Sequence, residues 1–158
     1  MKGRTILITG LLAALLMGCG QTRHYTPVER KDLKAALGGV GLADIVRELN
    51  SEMECDIWAV GHGGARLAWA ADTGVHSGIA HLSGDVDINE RVAGRGAIMV
   101  KVVVLHELGH TLGYDHVAEP YNIMSEEITS NFPLLTLEDQ IEAFLNKVEK
   151  EQICLNQL

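Results

Sequence analysis

Apolar residues recur at helical spacing in two stretches of the chain. Between residues 29 and 49 apolar side chains fall three or four positions apart, which predicts helix across this segment. Gly38 and the glycines at positions 39 and 41 interrupt it, so the pattern predicts either a bend or two separate helices. Residues 137–150 show the same periodicity and predict a closing helix, with Thr136 as its N-cap and acidic residues in its first turn.

Alternating apolar and polar residues predict short strands in the middle of the chain. The predicted strands comprise residues 55–60, 65–70, 77–83 and 85–89, and a first strand is expected at residues 24–26. Glycines at positions 61, 63, 64 and 84 separate neighbouring strands, because glycine accepts the backbone angles of tight turns. The middle of the chain is therefore predicted to be mainly β-structure.

One segment fits both a strand and a helix. Residues 97–112 are almost wholly apolar as far as His106, and the valines at positions 100, 102, 103 and 104 favour a strand. The segment is long for a strand, however, and it contains no turn signal. We interpret it as a buried helix, because the metal chemistry described below requires helical spacing of its histidines.

The first residues are typical of a secretion signal. Two basic residues precede an apolar run over residues 5–17, which is shorter than the roughly 20 residues that cross a bilayer. The run leads into the sequence Leu-Met-Gly-Cys, ending at Cys19, which resembles a bacterial lipobox. The resemblance implies that residues 1–18 are removed and that Cys19 is lipidated, while Gly20 favours the outer membrane. The alternative is a simple secretion signal with a coincidental cysteine.

The rest of the chain fits one domain. The sequence has 158 residues, 47% hydrophobic and 4% aromatic, which argues against disorder and against fibrous or disulfide-dense proteins. We expect residues 19–28 to form a short tether and residues 29–158 to form a single domain. A net charge of −8 argues against nucleic acid as a partner. In an exported protein Cys55 and Cys154 predict one disulfide, the alternative being two free buried thiols.

Residues 106–116 carry the strongest chemical signal. His106 and His110 are four residues apart, so on a helix they project from one face and suit one metal ion. Gly113 is expected to end the helix, so that the reversed chain returns His116 as a third ligand. Three histidines leave the fourth position of a tetrahedral zinc open for water, as in catalytic zinc sites. Glu107 would then accept a proton from that metal-bound water as general base.

This pattern, HExxHxxGxxH, resembles the motif of the metzincin zinc endopeptidases. Met124, within the sequence Tyr-Asn-Ile-Met-Ser, resembles the methionine of the family's Met-turn, at a spacing similar to that of the matrixins. The resemblance implies an α+β zincin fold with a mixed twisted β-sheet, a long active-site helix and a C-terminal helix. It also implies that His106, His110 and His116 hold one catalytic zinc and that Glu107 is the base.

The region upstream resembles the edge strand of matrixins more weakly. It comprises residues 78–82 and 84–89, and the resemblance implies that an extended peptide substrate pairs with this strand. His81 matches one ligand of the structural zinc that many family members hold. Asp87 stands where another histidine is usual, so a second zinc is not expected. Val117 replaces the serine that is typical after the third histidine, which leaves the subfamily open.

The sequence therefore predicts a zinc-dependent endopeptidase held at the bacterial outer membrane by a lipid anchor. Two alternatives stay open: a metzincin-fold lipoprotein that binds zinc or a protein partner without cleaving peptides, and a hydrolase of peptidoglycan cross-links. In the family, the segment after the Met-turn builds the specificity pocket, and Ile128, Phe132 and Leu134 predict an apolar one here. Asp115 could rival His116 as the third ligand, but it is out of register by one residue. It is expected either beside the ligands or at the surface.

Overall fold

The computed structural model describes residues 22–53, 56–126 and 134–155. These residues form a five-stranded mixed sheet with helices, so the expected α+β fold is confirmed. The strands are β1 (Arg23–Val28), β2 (Trp58–Val60), β3 (Ala65–Ala70), β4 (Gly78–Ala80) and β5 (Val86–Asn89). The helices are α1 (Lys31–Ala36), α2 (Leu42–Ser51), α3 (Ala97–Thr111) and α4 (Leu134–Leu155), with a 3-10 helix at Glu90–Arg95.

The sheet has the order β2-β1-β3-β5-β4, in which β4 alone runs antiparallel to its neighbour. Consecutive strands β2 and β3 lie on opposite sides of β1, so the loop between them crosses β1. Gly64 lies where the loop passes closest to β1. A side chain would not fit there, because a Cβ would overlap the carbonyl group of His24. The Gly61 N–H donates to the Tyr25 carbonyl at 2.9 Å, and the Thr26 hydroxyl donates to the Gly61 carbonyl at 3.0 Å. These bonds fix the loop on β1. At the other end of the sheet, β4 pairs with β5 and forms the edge.

Two separate helices, α1 and α2, occupy the stretch predicted over residues 29–49. Gly38 and Gly39 between them have φ values of +69° and +94°, which strain residues that carry a side chain. The next helix begins after Gly41, whose N–H donates to the Asp44 carboxylate at 3.0 Å. This bond satisfies a backbone donor at the start of α2. The buried face of α2 consists of Leu42, Ile45, Val46 and Leu49.

Helix α3 is buried on all sides over most of its length. Val100, Leu105 and Leu108 are fully buried, as are the valines at positions 102, 103 and 104. A helix that is apolar all round belongs in the core, so packing overrides the strand preference of its valines. The helix contacts α2, α4, β4 and β5. The residues at its C-terminal end are therefore carried by a well-packed element.

The structure differs from the predicted boundaries at both ends. The strand expected at residues 24–26 is present and longer than expected, since β1 covers Arg23–Val28 between two partner strands. These residues therefore belong to the sheet, whereas the sequence places them within the tether of residues 19–28. Tyr25 anchors this strand, because its side chain is almost fully buried. Helix α4 begins at Leu134 rather than at residue 137, which places Thr136 inside the helix and makes its prediction as the N-cap wrong. Residues 127–133, which precede α4, lie outside the described residues.

Three predicted features lie outside the described part of the chain. They are the signal peptide with Cys19, the thiol of Cys55, and the side chain of Cys154, whose backbone alone is described. Lipidation and the disulfide therefore stay predictions. Over the described ranges, none of the helices is both long enough and apolar enough to span a bilayer.

Candidate metal centre

Three histidine side chains converge at the C-terminal end of α3. The Nε2 atoms of His106 and His110 lie 3.0 Å apart, and Nε2 of His116 lies 3.2 Å from the first and 3.1 Å from the second. Among the described residues, these three form the one cluster of at least three potential ligands that could hold a metal ion. The structure thus brings together the three histidines that the sequence pattern singles out.

The end of α3 returns the third histidine to the first two. Gly113 has a φ of +93°, and its N–H donates to the His110 carbonyl at 3.0 Å. The Tyr114 N–H donates to the Gly109 carbonyl at 3.2 Å. This pair of bonds forms a Schellman motif, which ends a helix through one left-handed residue. The chain reverses there and carries His116 back toward the helix.

Two backbone carbonyls fix the orientation of two of the histidine rings. Nδ1 of His106 lies 2.6 Å from the carbonyl oxygen of Ile123, and Nδ1 of His110 lies 2.8 Å from that of Tyr114. A carbonyl oxygen can only accept a hydrogen bond, so Nδ1 carries the proton on both rings. Each Nε2 is then left with a lone pair, and such outer partners are typical of histidines that ligate metals.

The donor set fits a tetrahedral metal ion. Nitrogens bound to zinc at about 2.0–2.1 Å and at tetrahedral angles lie roughly 3.4 Å apart, close to the 3.0–3.2 Å between these Nε2 atoms. With their protons on Nδ1, His106 and His110 face each other as two acceptors, an arrangement that a shared cation stabilises. Burial lowers the pKa of His106 to about 4, which keeps this ring neutral and able to ligate.

Glu107 lies beside the cluster and is held between α3 and β4. Its side chain is 5% exposed, and this burial raises its pKa to about 7, although a hydrogen bond from the Ala80 backbone N–H opposes the shift. Gly78 lies against it, since a Cβ there would be 2.7 Å from both Cγ and Oε1 of Glu107. A carboxyl group with a pKa near neutrality can both accept and return a proton at physiological pH.

Met124 packs against α3 at Gly109, which has no side chain. It is 2% exposed, and a Cβ at Gly109 would lie 2.7 Å from its sulfur atom. Its N–H donates to Oδ1 of Asn122 at 2.9 Å, which closes the turn. The preceding residue, Ile123, supplies the carbonyl that holds His106. The predicted Met-turn residue therefore belongs to the segment that orients a ligand.

The histidines outside the cluster have other surroundings. His81 Nε2 lies 3.0 Å from the Asp87 carboxylate, and the Arg66 guanidinium lies 2.9 Å from the same carboxylate. Asp87 is thus paired with an arginine at the position where matrixins usually place a zinc-binding histidine. His76 lines the cleft beside the cluster, and Asp115 is exposed and outside the cluster, as expected.

An open cleft of about 520 Å³ runs past the three histidines. One wall is formed by β4 and by Val75 and His76 of the loop before it, and Glu126 also lines the cleft. In the β4–β5 pair the Asn89 N–H donates to the Ser77 carbonyl. Because antiparallel strands alternate bonded and non-bonded pairs, the backbone groups of residues 78 and 80 point away from β5.

A comparison with family models decides the classification. The model of the matrixin peptidases matches residues 32–142, which is more than half of the chain. This chain is a matrixin. The match confirms the resemblance first seen in residues 106–116, and it supports zinc metallopeptidase activity in general. A search of curated proteins finds no match to this chain.

Several contacts at the centre of this matrixin have no clear sequence signal. Ile123 and Tyr114 act through backbone carbonyls, which every residue offers. The contact of Gly78 with the buried glutamate depends on how β4 packs on α3, although the glycine itself lies in the segment that resembles the edge strand. Glu126 places a carboxylate in the cleft that the sequence did not single out. The side chains of Ile128, Phe132 and Leu134, which predict an apolar pocket, lie outside the described residues.

Proposed function

We propose that this matrixin is a zinc-dependent endopeptidase, with His106, His110 and His116 as metal ligands and Glu107 as general base. One observation carries the proposal: three Nε2 atoms lie within 3.2 Å of one another beside a buried carboxyl group. Both features open onto a cleft whose wall is a sheet edge. This combination supports hydrolysis of an extended peptide rather than metal storage.

The chain's own residues support the proton transfers of hydrolysis. Glu107, which is buried beside the three histidines and lines the cleft, accepts a proton from the attacking water and later delivers it to the nitrogen of the leaving amine. The Ala80 N–H holds this carboxylate toward the cleft. Zinc, when bound, lowers the pKa of a coordinated water to about 7 and polarises the scissile carbonyl. The bonds from Nδ1 of His106 and His110 to carbonyls keep their Nε2 lone pairs available.

The free edge of β4 supports binding of the substrate as an added strand. The N–H and C=O of Gly78 and the C=O of Ala80 point away from β5, so they are available to a peptide backbone. The same two residues contact Glu107. A peptide paired with this edge would therefore place one of its amide bonds close to the proposed base.

Replacing Glu107 by glutamine tests the proposal, because glutamine keeps the shape but cannot accept the proton. We expect Glu107→Gln to retain one zinc per chain, measured by atomic absorption, and to lose peptide hydrolysis at least about 100-fold. A quenched-fluorescence peptide library measures the hydrolysis. Glu142→Gln, an equal change at an exposed position of α4, is the control and should retain wild-type rates.

Two results would contradict the proposal. If the wild-type protein holds one zinc but cleaves no peptide of the library, the proposed endopeptidase function is wrong. If Glu107→Gln instead hydrolyses peptides at the wild-type rate, Glu107 is not the general base.

We further propose that the matrixin is attached to the outer membrane through a lipid on Cys19, on the basis of the sequence that resembles a lipobox. Strand β1 begins at Arg23, and a chain extends by at most about 3.6 Å per residue. An acylated Cys19 would therefore hold the sheet close to the membrane surface. Cys19→Ala should move the protein from the membrane fraction to the soluble fraction, and an unchanged distribution would contradict the anchor.

A further inference from the structure

An acidic side chain, Glu126, lines the cleft, and among the described lining residues no lysine or arginine accompanies it. Apart from Glu107, Glu126 is the one carboxylate among these described residues. Glu126 is exposed, whereas Glu107 is buried and bonded to Ala80. On the β4 side, the lining side chains Val75 and Ile79 are apolar. Among the described residues, the formal charge that lines the cleft away from the three histidines and Glu107 therefore comes from Glu126.

The backbone that carries Glu126 is fixed to the metal centre. Ser125 is buried, its N–H donates to the Asn122 carbonyl at 2.9 Å, and it forms a bridge with Val117. The same turn supplies the Ile123 carbonyl that orients His106. Because Ser125 faces inward in this bridge, the next side chain turns outward to the cleft. The backbone of Glu126 is therefore held at a fixed place relative to the three histidines.

We infer that Glu126 is a specificity-determining residue that selects substrates with a lysine or arginine close to the scissile bond. This inference rests on the proposed endopeptidase function. An unpaired carboxylate attracts a cationic side chain, and the attraction strengthens when the bound peptide displaces water from the cleft. The net charge of −8 adds a long-range attraction for basic peptides. An acidic side chain at the same substrate position meets repulsion instead.

Positional scanning of peptides tests the inference with the full-length, zinc-loaded protein. Each position on either side of the cleaved bond carries in turn lysine, arginine, norleucine or glutamate, where norleucine matches the length of lysine without its charge. We expect one position at which lysine or arginine raises kcat/KM by roughly three- to tenfold over norleucine at low salt. This preference should shrink as the salt concentration rises, because exposed charges are screened.

Two substitutions and a matched control assign the preference to Glu126. Glu126→Gln should abolish the preference while norleucine peptides are still cleaved, and Glu126→Lys should reverse it in favour of glutamate. Glu142→Gln, which removes the same charge from an exposed part of α4, should leave the preference intact. A preference for basic residues that survives in Glu126→Gln, or no basic preference in an active wild-type protein, would overturn the inference.

A failure of the proposed function gives a different result. If the wild-type protein cleaves no peptide, binding of the same fluorescent peptides to its zinc-loaded form measures the selection directly. Lysine peptides that bind no more tightly than their norleucine counterparts would then overturn the role of Glu126 as well. Tighter binding that Glu126→Gln removes would support it.

Discussion

Gly78 is constrained by its contact with the buried side chain of Glu107. The three atoms nearest to a Cβ at this position all belong to Glu107, and the closest lie at 2.7 Å. We expect Gly78→Ala to push the carboxyl group out of place and to lower kcat by ten- to a hundredfold, because misplacement of a catalytic group by about 1 Å costs that much. Zinc content should stay near one per chain, since the substitution does not meet a histidine.

Steady-state kinetics and metal analysis of the same preparation check this prediction. Gly94→Ala is the matched control, because a Cβ there meets nothing within 4 Å. If Gly78→Ala retained the wild-type kcat, the position of Glu107 against β4 would not matter for hydrolysis.

The convergence of the three histidines could be predicted from their spacing, because helical geometry and zinc chemistry dictate that spacing. The groups that hold them could not. The rings of His106 and His110 are oriented by carbonyls of Ile123 and Tyr114, and a backbone carbonyl leaves no trace in the residue type. The fit of Met124 against Gly109 likewise depends on how two distant segments pack.

The end of α3 is the element on which the metal centre depends most. Gly113 has a φ of +93°, a region that costs residues with a side chain about 1–2 kcal/mol. We expect Gly113→Ala to lower the free energy of unfolding by about that amount in the zinc-free protein, measured by urea denaturation. Zinc affinity should also fall, because His116 depends on the chain reversal. Gly113→Asn should lose less, since asparagine tolerates this conformation better.

Equal stability of the wild type and Gly113→Ala would show that the turn can form without its left-handed residue. A loss of stability with unchanged zinc affinity would show that the position of His116 does not depend on this turn.

Among the elements, those with strong periodicity were predicted well and those defined by tertiary contacts were not. Strand β3 matches its predicted range, because its alternating pattern is bounded by turns. Helix α3 matches closely because the spacing of its histidines decided between the strand and the helix that its apolar run allows. The length of strand β1 is underestimated from the sequence, because its residues are mostly polar and resemble a tether. Pairing with two neighbouring strands extends it in the structure. The crossing of β1 by the loop at Gly64 also has no local signal, because it depends on which strands pair.

Across the whole molecule, the C-terminal helix supports the metal centre through Tyr114. The Tyr114 hydroxyl donates to the Glu151 carboxylate at 2.5 Å, and the ring packs edge-on against Phe144. Lys147 lies 5.1 Å from the centre of the same ring. Since the Tyr114 carbonyl accepts from His110, α4 stabilises the loop that orients a ligand. The closing helix is therefore part of the support of the site.

Zinc binding should consequently stabilise the whole domain. The ion would join α3 to the loop after Gly113, and a ligand that binds the folded state alone adds about 2.7 kcal/mol at a free concentration 100 times its Kd. For a domain of this size each kcal/mol raises Tm by roughly 2–4 °C. We expect removal of zinc by a chelator to lower Tm by about 5–11 °C, measured by calorimetry, and added zinc to restore it.

His116→Ala keeps α3 and its two histidines but removes the third ligand, so its Tm should respond much less to zinc. A zinc response in His116→Ala equal to that of the wild type would place the stabilising ion elsewhere and contradict the three-histidine centre.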